Sequence, residues 1–222
     1  MLTAVTGMVD ATSYLALGHV LTANMTGNVV LLAFAAAGAN GLSVSRSGAA
    51  LAAFAVGASM SGRIAARADP SRHKWIGIVF GIEAGLLWAS MVVVSAAGAD
   101  LTHHFASLYG TIALTGLAMG IRYATVLKLK VPDVNPSVLT GTIATLASGT
   151  PPRWTRGAAS VATMVAGAAV GTYLLRHSLA AVFGLAGGIS AACALAAWFG
   201  LREFPFAIQR ELSKRRTVVS SA

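Results

Sequence analysis

Apolar residues gather along this chain in eight blocks, at about 1–18, 27–39, 48–66, 75–98, 105–127, 138–149, 157–176 and 179–201. Six of them approach the ~20 residues that a helix needs to cross a hydrocarbon core. The second and sixth do not. Counted from the Thr-Gly pairs that open them, they offer about 12 residues each, or ~18 Å of helix against a core ~30 Å thick. Neither predicts a spanning helix. Both adjoin polar islands: Thr22-Ala23-Asn24-Met25-Thr26-Gly27-Asn28 in one case, Asn135-Pro136-Ser137 and Thr140-Gly141-Thr142 in the other. Such an island is either a loop in water or irregular backbone held inside protein at membrane depth.

The order of the blocks contains an internal repeat. Gly7-Met8-Val9-Asp10-Ala11-Thr12 aligns with Gly120-Ile121-Arg122-Tyr123-Ala124-Thr125, and Thr26-Gly27-Asn28 with Thr140-Gly141-Thr142. Ala53-Phe54-Ala55-Val56-Gly57-Ala58 aligns with Thr163-Met164-Val165-Ala166-Gly167-Ala168, and Val79–Gly85 with Val182–Gly188. The correspondence divides the chain into a first repeat, 1–98, a second repeat, 99–201, and a basic tail, 202–222.

Composition sets the class. Residues are 56% hydrophobic and 10% charged, with a mean hydropathy of +0.73, where soluble domains carry roughly 25% charged residues. This is a polytopic, all-α membrane protein whose first partner is the lipid bilayer. The amino-terminal block has no basic lead and contains Asp10, so it predicts a span rather than a signal peptide. Glycines recurring every four residues (Gly77/Gly81/Gly85, Gly116/Gly120, Gly167/Gly171, Gly184/Gly188) predict close helix packing. They leave association with a second copy open. Trp75, Trp154 and Trp198 stand near block ends, where indoles favour the membrane interface. The only cysteine, Cys193, has no partner for an intrachain disulfide.

The net charge of +9 is expected to orient the protein in the membrane, not to bind nucleic acid. If all eight blocks crossed, the basic 63–74 segment and the basic tail would face opposite sides. If the two short blocks enter and leave on one side, thirteen of the 16 Lys and Arg residues become cytoplasmic. Only Arg46 and Arg176 lie outside, with Arg122 within the membrane. That choice predicts six transmembrane helices plus two re-entrant half-helices, both termini being cytoplasmic. Each repeat then holds three spans, so the two are inverted, an architecture recurrent among transporters.

Few residues can carry chemistry. Asp10 lies inside the first span, where an ionisable group costs roughly 2.5–3.5 kcal/mol on insertion scales unless it is paired or wetted. It is a candidate solute or proton site, or a carboxylate that ties helices together by accepting from half-helix N–H groups. Glu83 lies inside the fourth span, its repeat mate is Ala186, and it is the alternative proton carrier. Arg122 either snorkels to the cytoplasmic interface or pairs with Asp10. His19 borders the first island, where a lone histidine at a span end reads first as interfacial. Asn24, Thr26, Gly27, Asn28, Thr140, Gly141 and Thr142 form the central candidate binding set. Asparagine and threonine cap helix amino ends, and two such ends at the midplane would favour anions or neutral polar solutes over cations. No phosphate loop, metal motif or catalytic cluster is present, so neither a cofactor nor an enzymatic role is expected. His103-His104 reads as an ordinary extracytoplasmic polar loop.

Gly7-Met8-Val9-Asp10-Ala11, Thr26-Gly27-Asn28, Ala118-Met119-Gly120 and Leu139-Thr140-Gly141-Thr142 resemble the YoaK-type family of bacterial membrane proteins. The resemblance implies six spans in a bacterial plasma membrane and brings neither substrate nor reaction. This chain departs from it at Arg122-Tyr123, where relatives tend to carry Gln-Asn. The leading expectation is a transporter or channel-like protein for a small anionic or neutral polar solute. The alternative is a non-transporting membrane scaffold or sensor with a polar ligand or partner site.

Overall fold

A computed structural model describes residues 1–67, 72–98, 104–129 and 154–199, and every regular element among them is helical. In chain order these are α1 (Leu2–Ala16), α2 (Met25–Ala36), α3 (Val44–Arg67), α4 (Arg72–Ala97), α5 (Phe105–Lys128), α6 (Trp154–Leu175) and α7 (Leu179–Trp198). Seven of the eight apolar blocks are therefore helices. The sixth block, with Thr140, Gly141 and Thr142, lies outside the described residues, as does the tail. Among the described residues, four stretches are long and apolar enough to cross a membrane: Trp75–Ala97, Phe105–Lys128, Gly157–Leu175 and Leu179–Trp198.

Helix ends follow local chemistry. α1 stops because Gly18 takes a left-handed φ of 82°, which turns the chain and lets His19 N–H reach the Tyr14 carbonyl at 3.1 Å. α2 ends the same way, with Gly38 at φ 87° and Ala39 N–H on Phe34 O at 3.0 Å. Both are the six-to-one closure that glycine permits after a helix. α2 starts under an Asn24 cap, whose side chain accepts from Gly27 N–H at 3.4 Å.

Packing is inverted relative to a soluble protein. Val29, Phe34, Val92, Val165, Tyr173 and Leu195 are exposed, while Asp10, Asn28, Glu83 and Arg122 are buried. An apolar exterior around a charged interior is stable only where the surroundings are themselves apolar. Trp75 departs from the interfacial expectation: it is buried, packed with Val79 and Ile121, whereas Trp198 is exposed. Trp75 fills a gap between helices instead of meeting headgroups.

The long helices form three closely seamed pairs. Along α1 and α6, Gly7 lies against Met164 and Ala168, Gly167 against Ala4, and Gly171 against Met8. Along α3 and α5, Gly120 lies against Phe54 and Ala58, Gly57 against Leu117, and Gly116 against Ala50 and Ala53. Under the sequence correspondence Gly7 matches Gly120, Met164 matches Phe54 and Ala168 matches Ala58. The two seams are the same contacts with the halves exchanged. The third pair joins α4 to α7: Gly77 meets Ala194 and Trp198, Gly187 meets Trp88 and the Ala84 carbonyl, and Gly184 meets Met91. These two matching helices run antiparallel against each other.

Not every glycine in the four-residue series sits at a seam. A methyl group added at Gly81, Gly85 or Gly188 would meet nothing within 4 Å among the described residues, which corrects the expectation that these pack helices. At Gly120 it would run into the Phe54 carbonyl and lie 2.9 Å from Ala58 N. Gly120→Ala should thus lower stability by about 1–3 kcal/mol through overpacking. Gly188→Ala should be neutral or stabilising by up to about 1 kcal/mol, the ordinary helix preference. Thermal unfolding of the purified protein in detergent checks the pair, and equal shifts for both would contradict the seam.

The pairings also sort the helix ends. Ser45 Oγ meets Tyr109 OH at 2.6 Å, and Lys128 Nζ donates to Gly62 O at 3.2 Å, so α3 and α5 run parallel. The Leu2 carbonyl accepts from Arg122 at 2.8 Å, which sets the start of α1 beside the last third of α5. Leu2 also packs with Phe80, Cys193 and Ala194. The amino ends of α1 and α4 and the carboxyl ends of α3, α5 and α7 thus share one end of the bundle. Gly18, just after α1, lies against the Arg46 side chain in the first turn of α3, at the other end.

Candidate functional site

The first polar island folds back onto α1. After the turn at Gly18–His19 the chain descends until Ala23 N–H and Asn24 N–H reach Asp10 Oδ1, at 2.8 and 3.3 Å. α2 starts immediately afterwards. Asp10 therefore satisfies two backbone donors that lie between α1 and α2, outside any helix. The Thr22 backbone N–H also faces the carboxylate, whose other oxygen, Oδ2, is buried without a close hydrogen-bond partner among the described residues, as is the Thr22 hydroxyl.

Asn28 completes the island and is fully buried. Its Oδ1 accepts from Leu21 N–H at 3.3 Å, and its Nδ2 donates to Ser47 O at 3.0 Å. Both ends of the amide are engaged, so Asn28 pins the descending loop to the first turn of α3. Asn24 contributes its cap and its N–H. Gly27 packs against the Leu21 side chain, and Thr26 is exposed. Of the central candidates, Asp10, Asn24, Gly27 and Asn28 converge on the break before α2. Thr26 is exposed beside it and makes none of these bonds among the described residues, and Thr140, Gly141 and Thr142 fall outside the described residues.

The N–H groups at this break are largely consumed by the protein itself. Asp10 holds two and the Asn24 side chain a third. A carboxylate at the amino end of α2 also offsets the partial positive charge there. The unmatched capacity is an acceptor oxygen and a hydroxyl, which suits a hydrogen-bond donor better than an anion.

Glu83 is not part of this site. It forms a buried ion pair with Arg122, which bonds to both carboxylate oxygens: Nε to Oε2 at 3.0 Å and Nη2 to Oε1. Ser190 Oγ donates to Oε1 at 2.6 Å and lies 3.1 Å from Arg122 Nη2. Arg122 Nη1 reaches the Leu2 carbonyl and, at 3.3 Å, Thr6 Oγ1. The reading in which Arg122 snorkels to the interface is overturned, since the residue is only 5% exposed. Pairing with Asp10 does not occur either. The guanidinium is satisfied where it stands, because α4 and α7 bring it a carboxylate and a hydroxyl. Ser190 and Ser47 were not legible as partners in the sequence. The only signal for Ser190 is a hydroxyl in an otherwise apolar block.

A model of the family described as "Protein of unknown function (DUF1275)" matches residues 1–196. The chain is also 33% identical, over 143 residues, to the UPF0700 transmembrane protein YoaK of Bacillus subtilis (strain 168). That match takes in 63% of this chain and 60% of the relative's length. No solved structure matches. With helices that put charge inside and apolar side chains outside, and a family match over nearly its whole length, the chain is a multi-pass membrane protein and belongs to the DUF1275 family.

Proposed function

We propose that this protein moves a small polar solute across the membrane, by transport and not by catalysis, at the break between α1 and α2. The observation that carries the reading is Asp10: a carboxylate inside a span, holding the folded-back chain by one oxygen, with the other lacking a close partner among the described residues. Neutral solutes that donate hydrogen bonds fit this arrangement better than anions. Asp10 is also the proton carrier of choice, because Glu83 is already committed to a guanidinium.

The order of helix ends supports a six-span path. α1 finishes and α3 starts at the same end of the bundle. Residues 17–43, α2 included, therefore leave that end and return to it, as a re-entrant half-helix does. α4 and α7 match in sequence yet run antiparallel, as inverted repeats require. Charge agrees: Arg46 and Arg176 fall at the end where α1 finishes, Arg63 and Lys128 at the other. In this reading the second end is cytoplasmic in a bacterial plasma membrane.

Two experiments test the reading. With Cys193 replaced by alanine, a cysteine at His104 should label from outside in intact cells, and one at Arg63 should not. The reverse pattern removes the six-span orientation. For transport, proteoliposomes should swell in iso-osmotic glycerol or urea faster than protein-free liposomes, and faster than in potassium formate. No flux of any of these probes, from protein shown to be folded, favours the scaffold or sensor alternative.

A further inference from the structure

We infer that the Arg122–Glu83 cluster is a latch that closes one end of the bundle and opens by letting in water. Arg122 belongs to the α3–α5 pair. Its Nη1 binds the Leu2 carbonyl and Thr6 of α1, in the α1–α6 pair. Its other nitrogens bind Glu83 of α4 and Ser190 of α7, in the third pair. One side chain thus joins all three glycine-seamed pairs at the end that holds the α1 amino terminus. Elsewhere the pairs are seamed internally by backbone contacts at glycine, which favour movement as units over movement within them.

The internal repeat supplies a comparison inside the same molecule. Continuing the alignments, Arg122 corresponds to Val9, Glu83 to Ala186 and Ser190 to Leu87. All three counterparts are fully buried in one apolar cluster. The fold accepts an apolar solution at the matching position, so the charges are not a requirement of packing. The two solutions differ in what opening costs. Separating an apolar seam exposes surface that water disfavours. Separating a buried ion pair returns two desolvated charges to water, recovering the desolvation that closure had cost. The polar end has two satisfied states, paired when dry and hydrated when open. This asymmetry assigns the moving barrier to the Arg122 end and the static one to the Val9–Leu87–Ala186 end.

The chain carries its own reporter. Cys193, its only cysteine, is buried one turn beyond Ser190 on α7, beside Phe80 and Leu2. A membrane-impermeant maleimide applied to inside-out vesicles holding the full chain should modify Cys193 slowly but completely. Glu83→Gln or Arg122→Gln leaves one buried charge unpaired, which draws water and should speed modification at least ~tenfold. The double variant Glu83→Leu/Arg122→Met imitates the apolar end and should slow modification at least ~tenfold below wild type. Each variant is first shown to be folded by a single detergent-soluble species. If the singles fail to fold, the double variant decides alone. Modification at the wild-type rate in the folded variants, or complete protection of the wild type, overturns the latch and leaves a permanent tie. No solute enters the assay, so the latch can fail while the transport reading stands, and the reverse.

Discussion

Replacing Arg122 with methionine should destabilise the folded protein by about 3–5 kcal/mol, the usual cost of stranding one partner of a buried ion pair. Glu83 is fully buried, and without Arg122 its carboxylate keeps only the Ser190 hydroxyl among the described residues. Removing Glu83 at the same time should restore most of the loss. In Glu83→Leu/Arg122→Met no charge remains to be solvated, and well-packed apolar replacements of buried pairs are often neutral or stabilising by 1–4 kcal/mol. The measurement is a double-mutant cycle on unfolding midpoints in one detergent, with coupling of about 2 kcal/mol or more expected. Additive losses in the double variant would mean that each side chain is held by its other contacts. The Leu2 carbonyl and Thr6 would then anchor Arg122 independently of Glu83.

Much of the fold follows from features that a single chain displays. The helices coincide with the apolar blocks because in lipid each backbone N–H and C=O must be satisfied within its own segment. Gly18 and Asn24 mark the end of α1 and the start of α2, since one permits the left-handed turn and the other caps the first free N–H groups. What a chain does not display is which side of an apolar helix faces inward. Gly77, Gly81 and Gly85 have one spacing, yet only Gly77 meets another helix. Lipid and protein are equally apolar, so no polar stripe distinguishes them. The same limit applies to α2, where Asn28 is buried and Thr26 exposed, two positions apart on a mostly apolar helix.

The partner of Arg122 escaped for a related reason. Glu83 and Arg122 lie at similar sequence distances from the segment between α4 and α5, so pairing the two helices as sequence neighbours would have brought them together. The repeat pointed elsewhere, to a position beside Asp10 in the other half. Symmetry describes the backbone here, and the two buried charged sites break it. Asp10 aligns with Tyr123, which packs on Phe54 at 5.6 Å, and Glu83 aligns with Ala186. Both acidic groups belong to the first half, and neither has an acidic counterpart in the second. Unlike sites are what the proposed roles would require, with solute near α2 and the latch near the α1 amino end.

Replacing Asp10 with asparagine should abolish any pH dependence of flux while leaving the protein folded. The amide oxygen can stand where Oδ1 stands and keep accepting from Ala23 and Asn24 N–H, so the folded-back loop retains its anchor. The loss is one of charge assistance on these bonds, about 1 kcal/mol. Chemically the change is larger, because an amide neither binds nor releases a proton. Asp10→Ala separates the two roles. It removes the acceptor as well as the proton site and strands one buried and one half-buried N–H group, at about 1–3 kcal/mol for a buried donor left unsatisfied. Swelling of proteoliposomes in glycerol or urea, followed from pH 5 to pH 8, gives the functional axis, and unfolding in detergent gives the structural one. Asparagine should lose pH dependence with nearly wild-type stability, and alanine should lose both. An asparagine variant whose flux still tracks pH would remove Asp10 as the proton carrier. An asparagine variant as unstable as the alanine one would show that the charge itself holds the break, because a neutral oxygen at the same place would have failed to do so.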